Sequence, residues 1–182
     1  MTHLYSFVGC EEGPWRVVGV RAVKGPPLAQ PQRLNIVNAY VPAPAPGSIW
    51  VLHGFTSNVR YATKDEITRL KAAQPPLGRP DASCAALIPV KKSVAWWELA
   101  QDERRRIFEE TSRHTAIGLD YLPAVARRLH HCRDLGEPFD FLTWFEFAPQ
   151  HAPAFDELVA RLRATEEWDY VEREVDIRLA RG

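Results

Sequence analysis

The sequence predicts an α+β fold in which an antiparallel sheet carries helices on one face, with this pattern present twice along the chain. The first observation is strict alternation of apolar and charged residues in strand-like segments, most clearly at 171–179. The second is that helical segments, with apolar residues every three or four positions, lie between those strands. Strands and helices interleaved in this way are typical of an α+β domain.

The first half of the chain contains four strand-like segments and one helix. The strands are expected at 15–23, 34–40, 48–61 and 85–90. Thr63 begins the helix, because Glu66 three residues later completes a capping box. Gln74-Pro75-Pro76 ends it, since proline removes a backbone donor and disfavours helix in the preceding residue.

The second half repeats the theme at greater length. A helix capped by Ser93 is expected to run on to Tyr121, and residues of its inner face recur at three or four positions: Ile107, Thr111, His114, Ile117 and Tyr121. Strands follow at 126–134, 139–147 and 171–179, with a helix at about 152–166. We therefore expect a single domain over 1–182, with a reduced half at about 1–90 and a fuller half at about 91–182.

Composition narrows the class of partner. The 23 basic residues balance the 23 acidic ones, so the chain has no electrostatic footprint for nucleic acid or for an acidic membrane surface. No segment approaches the roughly 20 apolar residues of a membrane span, and no signal peptide is visible. Three widely spaced cysteines form no C-x-x-C pair, which favours reduced thiols in the cytoplasm. A small-molecule or protein partner is expected.

Familiar catalytic signatures are missing. The chain has no P-loop, no dinucleotide-binding glycine pattern, no H-E-x-x-H and no G-x-S-x-G, which weakens the nucleotide, zincin and serine-hydrolase interpretations. The run His130-His131-Cys132 invites a zinc interpretation. On a strand, however, His130 and Cys132 share one face while His131 points to the other, so a zinc site is disfavoured.

His114 and Arg127 are the most informative residues. A histidine within an apolar helical stripe is either a core residue bonded to a neighbour or a metal ligand, and Glu167 could serve it in both cases. Arg127, close after Pro123, is either one half of an ion pair or a fixed cation facing a pocket. A buried ligand beside a fixed cation suggests a heme iron that handles a small anion. Composition alone leaves these alternatives open.

Three long segments closely resemble the chlorite dismutase family, in its short cytoplasmic form. They are AALIPVKKSVAWWELAQDERRRIFEETSRH, YLPAVARRLHHCRDLGEPFDFLTWFEFAP and LRATEEWDYVEREVDIRL, and the resemblance extends over about 48–180. It implies a ferredoxin-like α+β fold, heme b bound in the C-terminal half, and a homodimer. Residues 1–47 receive no role from it.

The resemblance also implies roles for three residues close to the iron. His114 matches the proximal iron ligand, and Glu167 matches the carboxylate that hydrogen-bonds this histidine. Arg127 matches the distal arginine that distinguishes chlorite-degrading members from the related coproheme decarboxylases. Arginine suits that position because it stays protonated and offers planar N–H donors to an oxyanion.

Four further residues match positions around the heme. Lys92, Trp96 and Tyr61 match residues that hold the propionates and the heme edge, and Gln74 matches a distal residue that can bond the arginine. The implied reaction converts chlorite to chloride and dioxygen, through a ferryl heme and a transient hypochlorite held by Arg127. The alternatives are a heme peroxidase-like protein and a heme sensor or carrier, each with only incidental chlorite activity.

Overall fold

The computed structural model describes residues 3–56 and 61–182, which contain eight strands. In chain order they are β1 (Leu4–Cys10), β2 (Trp15–Lys24), β3 (Arg33–Val37), β4 (Ser48–Phe55), β5 (Cys84–Lys92), β6 (Val125–His131), β7 (Phe141–Phe147) and β8 (Val171–Arg181). They form a closed antiparallel barrel in the order β1-β3-β2-β8-β5-β7-β6-β4, with β4 pairing back onto β1.

The predicted fold class, a duplicated ferredoxin-like sheet with helices on one face, is wrong because the sheet closes on itself. Closure depends on β1, a strand that the sequence analysis did not identify, which pairs with both β3 and β4. The pairing of β4 with β6 that closes the barrel is short, and among the described residues it consists of Phe55 opposite His131. Beside it, a Cβ on Gly54 would lie 2.7 Å from His130 Cβ, so glycine lets the two strands approach.

The barrel interior is filled by side chains from alternate positions of its strands. This barrel core includes Phe7, Trp15, Leu34, Leu87, Trp144 and Ile177. Trp15 and Trp144 meet edge to face, with ring centroids 5.2 Å apart. The described part of the barrel interior is therefore a packed core.

Five α-helices lie in the described part of the chain: α1 (Lys64–Ala73), α2 (Val94–Glu98), α3 (Gln101–Arg105), α4 (His114–Asp120) and α5 (Ala152–Arg163). A second cluster, the outer core, joins α4 and α5 to the outer face of β5, β7 and β6. It includes Ile88, Val90, Ile117, Phe145, Phe155 and Leu158. Strand alternation divides the two cores, because Trp144 points into the barrel and Phe145 points away from it.

The capping box at the start of α1 is confirmed. The Glu66 carboxylate accepts from the Thr63 N–H at 2.6 Å, and the Thr63 hydroxyl accepts from the Glu66 N–H at 3.3 Å. The helix expected between Ser93 and Tyr121 is instead broken. It divides into α2, α3, a π-helix (Arg106–Thr111) and α4, with Arg113 in the left-handed region at φ 53.

The cysteines and the length of the helices bear on the expectations of reduced thiols and of no membrane span. Cys10, Cys84 and Cys132 are free thiols. Among residues 3–56 and 61–182, no helix combines the length and the apolar character that a membrane span requires.

Candidate functional site

A deep cavity lies between the outer face of the sheet and the helices that cover it. Strands β5, β6 and β7 contribute every second residue to its wall: Ile88, Val90, Lys92, Val125, Arg127, Leu129, His131, Phe141, Thr143 and Phe145. Residues of α4 and α5 form the facing wall, and the space out to the mouth is about 1240 Å³. Most of the lining is apolar, so the few polar groups in it stand out.

His114 enters this cavity from the first position of α4, with one ring nitrogen already bonded. Its Nδ1 lies 2.6 Å from Glu167 Oε2, and the other carboxylate oxygen, Oε1, accepts from Lys92 Nζ at 2.7 Å. The side chains of Glu167 and Lys92 are both almost completely buried. The predicted neighbour relation between His114 and Glu167 is therefore observed, with a third member added.

The charge state of Glu167 fixes the tautomer of His114. Burial by itself would raise the pKa of Glu167, but His114 and Lys92 outweigh burial and lower it to about 2. An ionised carboxylate accepts only, so Nδ1 of His114 carries the hydrogen and donates it. Nε2 has no hydrogen-bond partner among the described residues, so it is the ring nitrogen left for a ligand in the cavity.

Arg127 reaches the same cavity from β6. Its Nε is buried with no hydrogen-bond partner in the part of the chain that the structure describes, while the residue as a whole is half-buried and lines the cavity. Burial lowers the pKa of Arg127, yet a guanidinium stays charged at neutral pH. A cation on the cavity wall with a buried, unused donor is arranged to receive an anion.

Gln74 contacts the strand of Arg127 rather than its guanidinium. Its side-chain Nε2 donates to the main-chain carbonyl of Arg127 at 2.7 Å. Arg79 extends this contact, donating to the carbonyls of Pro123 and Ala124 at 3.4 and 3.3 Å. These side chains satisfy main-chain carbonyls in the first residues of β6 and just before it.

Trp96 and Tyr61 lie together at another part of the cavity wall. Trp96 is 1% exposed, and its Nε1 is a second buried donor without a partner in the described chain. Tyr61 meets the Trp96 ring edge to face at 6.2 Å, and its hydroxyl accepts from Arg104 at 3.2 Å. Lys92 lies over the Trp96 ring at 4.5 Å, but its ammonium is bonded to Glu167.

The chain is similar to known proteins of one family. A family model described as chlorite dismutase matches residues 44–181. The chain belongs to the chlorite dismutase family. A chlorite dismutase of Ideonella dechloratans is 34% identical over 121 residues, which are 65% of this chain and 40% of that protein. The chain thus spans well under half the length of this curated relative.

Solved chlorite dismutases share the fold. A dimeric chlorite dismutase from Nitrobacter winogradskyi is 54% identical, with 98% of this chain and 99% of that chain covered and a TM-score of 0.90. The chlorite dismutase of Candidatus Nitrospira defluvii, solved in complex with imidazole, is 29% identical over 74% of this chain and 56% of that chain. Its TM-score is 0.60.

Several residues of this cavity were not identified from the sequence. Phe108 stacks on the His114 ring with centroids 4.4 Å apart, and the Trp168 ring lies nearly parallel to it at 6.3 Å. Thr143 also lines the cavity, opposite Leu129 of β6. Two of them could have been identified from their positions in the sequence. Trp168 directly follows Glu167, and Thr143 interrupts a run of aromatic residues at every second position. The alternation of His130 and His131 is confirmed, since His131 lines the cavity and His130 lies against barrel-core Phe7.

Proposed function

We propose that this chain is a heme b chlorite dismutase, which converts chlorite to chloride and dioxygen. The observation that carries the proposal is one cavity that receives both His114, with its Nδ1 bonded to Glu167, and the guanidinium of Arg127, with its buried and unpartnered Nε. Membership of the chlorite dismutase family supports the same reaction.

The residues of the cavity fit a heme. Nε2 of His114 would bind iron as a neutral imidazole nitrogen, which is the ligand type of many heme proteins. The apolar walls suit the faces of a macrocycle, and the unpartnered Nε1 of buried Trp96 suits the anionic edge. Tyr61 lies beside Trp96 and belongs to the same edge. When bound, a heme supplies the iron that exchanges an oxygen atom with chlorite.

His114, Glu167 and Arg127 have different roles in the proposed reaction. His114 would hold the iron, and its Nδ1–H bond to Glu167 would orient the ring and make it a more basic ligand. Arg127 attracts the chlorite anion, because a cation in a largely apolar space acts more strongly than one in water. Its planar N–H donors keep the oxyanion inside until both oxygen atoms of chlorite leave as dioxygen.

Lys92 and Gln74 are assigned by their contacts. Lys92 acts through Glu167, since its ammonium lies 2.7 Å from that carboxylate and keeps it ionised. A role at the propionates would require this buried ammonium to leave its partner. Gln74 positions Arg127 by bonding its main-chain carbonyl.

The wider expectations complete the proposal. His114, Arg127 and Glu167 all lie in 91–182, the half predicted to bind heme. The solved relative from Nitrobacter winogradskyi is described as dimeric, which supports a homodimer here. A cytoplasmic location is proposed on the reduced thiols that the cysteine pattern predicts.

Oxygen evolution from chlorite tests the function directly. The protein is loaded with hemin, and a Clark electrode measures dioxygen per chlorite consumed; the expected yield is close to one. His114→Ala should abolish it, while Arg69→Ala, at an exposed arginine on α1, should leave it unchanged. A hemin-loaded protein that releases no dioxygen would contradict the proposal and favour a peroxidase-like protein or a heme sensor or carrier.

A further inference from the structure

The helix that leads to His114 contains a π-helix over Arg106–Thr111. There the Ser112 N–H bonds to the Ile107 carbonyl five residues back, at 3.0 Å. The extra residue rotates the chain, so Thr111, predicted to lie on the inner face, is exposed and Ser112 is buried in its place. Single π-turns within helices are frequent at functional sites.

Three side chains of this turn contact the His114–Glu167 pair or the backbone that carries it. Phe108 stacks on the His114 ring, with 21° between the ring planes. Ser112 Oγ accepts from the main-chain N–H of Glu167 at 3.0 Å. Glu109 is the charged member, and its carboxylate accepts from the N–H of Thr115 at 2.7 Å and of Ala116 at 3.3 Å.

The contact made by Glu109 matters because α4 is short and begins at His114. The first N–H groups of a helix lack intrahelical acceptors, and the residue before α4, Arg113, provides no side-chain cap. A seven-residue helix is not stable by itself, so its first turn depends on such contacts. An anionic acceptor at that end also suits the helix dipole.

We propose that Glu109 is a positioning residue for His114. By holding the N–H groups of Thr115 and Ala116, Glu109 fixes the first turn of α4 and thereby aims Nε2 of His114 into the cavity. Ligand side chains must be held within roughly 0.5 Å of their working geometry, which a frayed helical turn does not provide. This inference rests on the proposed heme function, and it concerns a residue that does not line the cavity.

Hemin affinity in a double-mutant cycle tests the proposal. Glu109→Ala is measured in the wild type and in a His114→Ala background, by hemin titration followed in the Soret band. We expect Glu109→Ala to weaken hemin binding by about tenfold in the wild type, at the low end of the effect of indirect ligand contacts. In the His114→Ala background it should cause no further loss, because the ring that it positions is gone.

Two further variants sharpen the result. Glu110→Ala is the matched control, since Glu110 is the next residue of the same turn and is exposed; its hemin affinity should equal that of the wild type. Glu109→Gln keeps an acceptor oxygen and should restore most of the affinity. Glu109→Asp shortens the side chain and should give an intermediate loss, which supplies the measurement if the alanine variant fails to fold.

The outcomes separate the two proposals. Unchanged hemin affinity in Glu109→Ala would overturn the positioning role alone. An equal loss in both backgrounds would also overturn it, because the residue would then support the fold and not His114. A wild type that binds no hemin at all would overturn the proposed function together with this inference.

Discussion

The ring of His114 has one nitrogen committed to Glu167 and one directed at the cavity, and this division determines what the residue can bind. The sequence raised both a core and a ligand interpretation, and Glu167 was the named neighbour in each. The contact could be predicted from the family resemblance, but the ion pair of Lys92 with Glu167 could not. It joins residues 75 positions apart, and no local pattern reports such a distance.

Removing the Glu167 carboxylate should lower the affinity for hemin without abolishing binding. Glu167→Ala leaves His114 without its Nδ1 acceptor and leaves Lys92 buried without a counter-charge, so we expect hemin affinity to fall by about 10–100-fold. Soret titration measures the change. Glu166→Ala, at the preceding exposed carboxylate, serves as the control. Equal affinities for the wild type and Glu167→Ala would refute the role assigned to Glu167.

Arg127 should govern retention of the oxyanion and not the binding of heme. Arg127→Ala is expected to bind hemin normally, to give less dioxygen per chlorite and to release hypochlorite, which a chlorinatable trap detects. Arg127→Lys keeps the charge and loses the planar donors, so its dioxygen yield should lie between those of the wild type and Arg127→Ala. A full dioxygen yield from Arg127→Ala, with an empty trap, would show that the guanidinium does not retain the oxyanion.

At the level of elements, the contact between α1 and α3 holds Tyr61 at the cavity. Arg105 bonds both carboxylate oxygens of Glu66 at 2.8 Å and also contacts the main-chain oxygen of Tyr61. The sequence predicted α1 and its capping box, because both depend on residues three apart. It did not predict the π-helix, since the rotation that exposes Thr111 depends on long-range contacts such as that of Ser112 with Glu167.

The Glu66–Arg105 pair predicts a pH dependence of stability. The bond from Arg105 lowers the pKa of Glu66 to about 2 from the ordinary value of 4.5. A carboxyl group whose pKa is lower in the folded state stabilises the fold at pH values above its pKa in the unfolded state. This contribution is lost as the pH falls through the pKa of the folded state. Glu66→Gln should therefore reduce the free energy of unfolding by about 1 kcal/mol above pH 4.5, with the difference disappearing towards pH 2.

Denaturant unfolding of the apoprotein at a series of pH values measures this difference. Glu110→Gln, at an exposed carboxylate, provides the baseline for the loss of one surface charge. A difference between wild type and Glu66→Gln that stays constant from pH 6 to pH 2 would contradict the proposed ion pair.

For the whole molecule, closure of the sheet is the feature that the sequence did not disclose. Alternation predicted most of the strands and their antiparallel character, because each depends on neighbouring residues. The order of strands depends on pairings such as β2 with β8, which join the two ends of the chain. An open duplicated sheet and a closed barrel share the same local patterns, so alternation could not distinguish them.

Gly54 tests the closure. Gly54→Ala places a Cβ against His130 and Cys132 at the joint of β4 and β6, so we expect a loss of about 1–3 kcal/mol in the free energy of unfolding. Gly19→Ala is the matched control, because a Cβ there meets no atom within 4 Å. Chemical denaturation of both variants measures the difference, and equal stabilities would contradict a tight joint.

The placement of the cavity outside the barrel also determines which side chains would be damaged during the working life of the protein. Cys132 and Trp144 point into the barrel core, so a layer of strand backbone separates them from an oxidant formed beside Arg127. Burial also raises the pKa of Cys132, which keeps it an unreactive thiol. Oxidation of side chains would therefore begin at aromatic residues that line the cavity, such as Trp96 and Trp168. The proposed enzyme would then lose activity through damage to its cavity while the side chains of the barrel core stay intact.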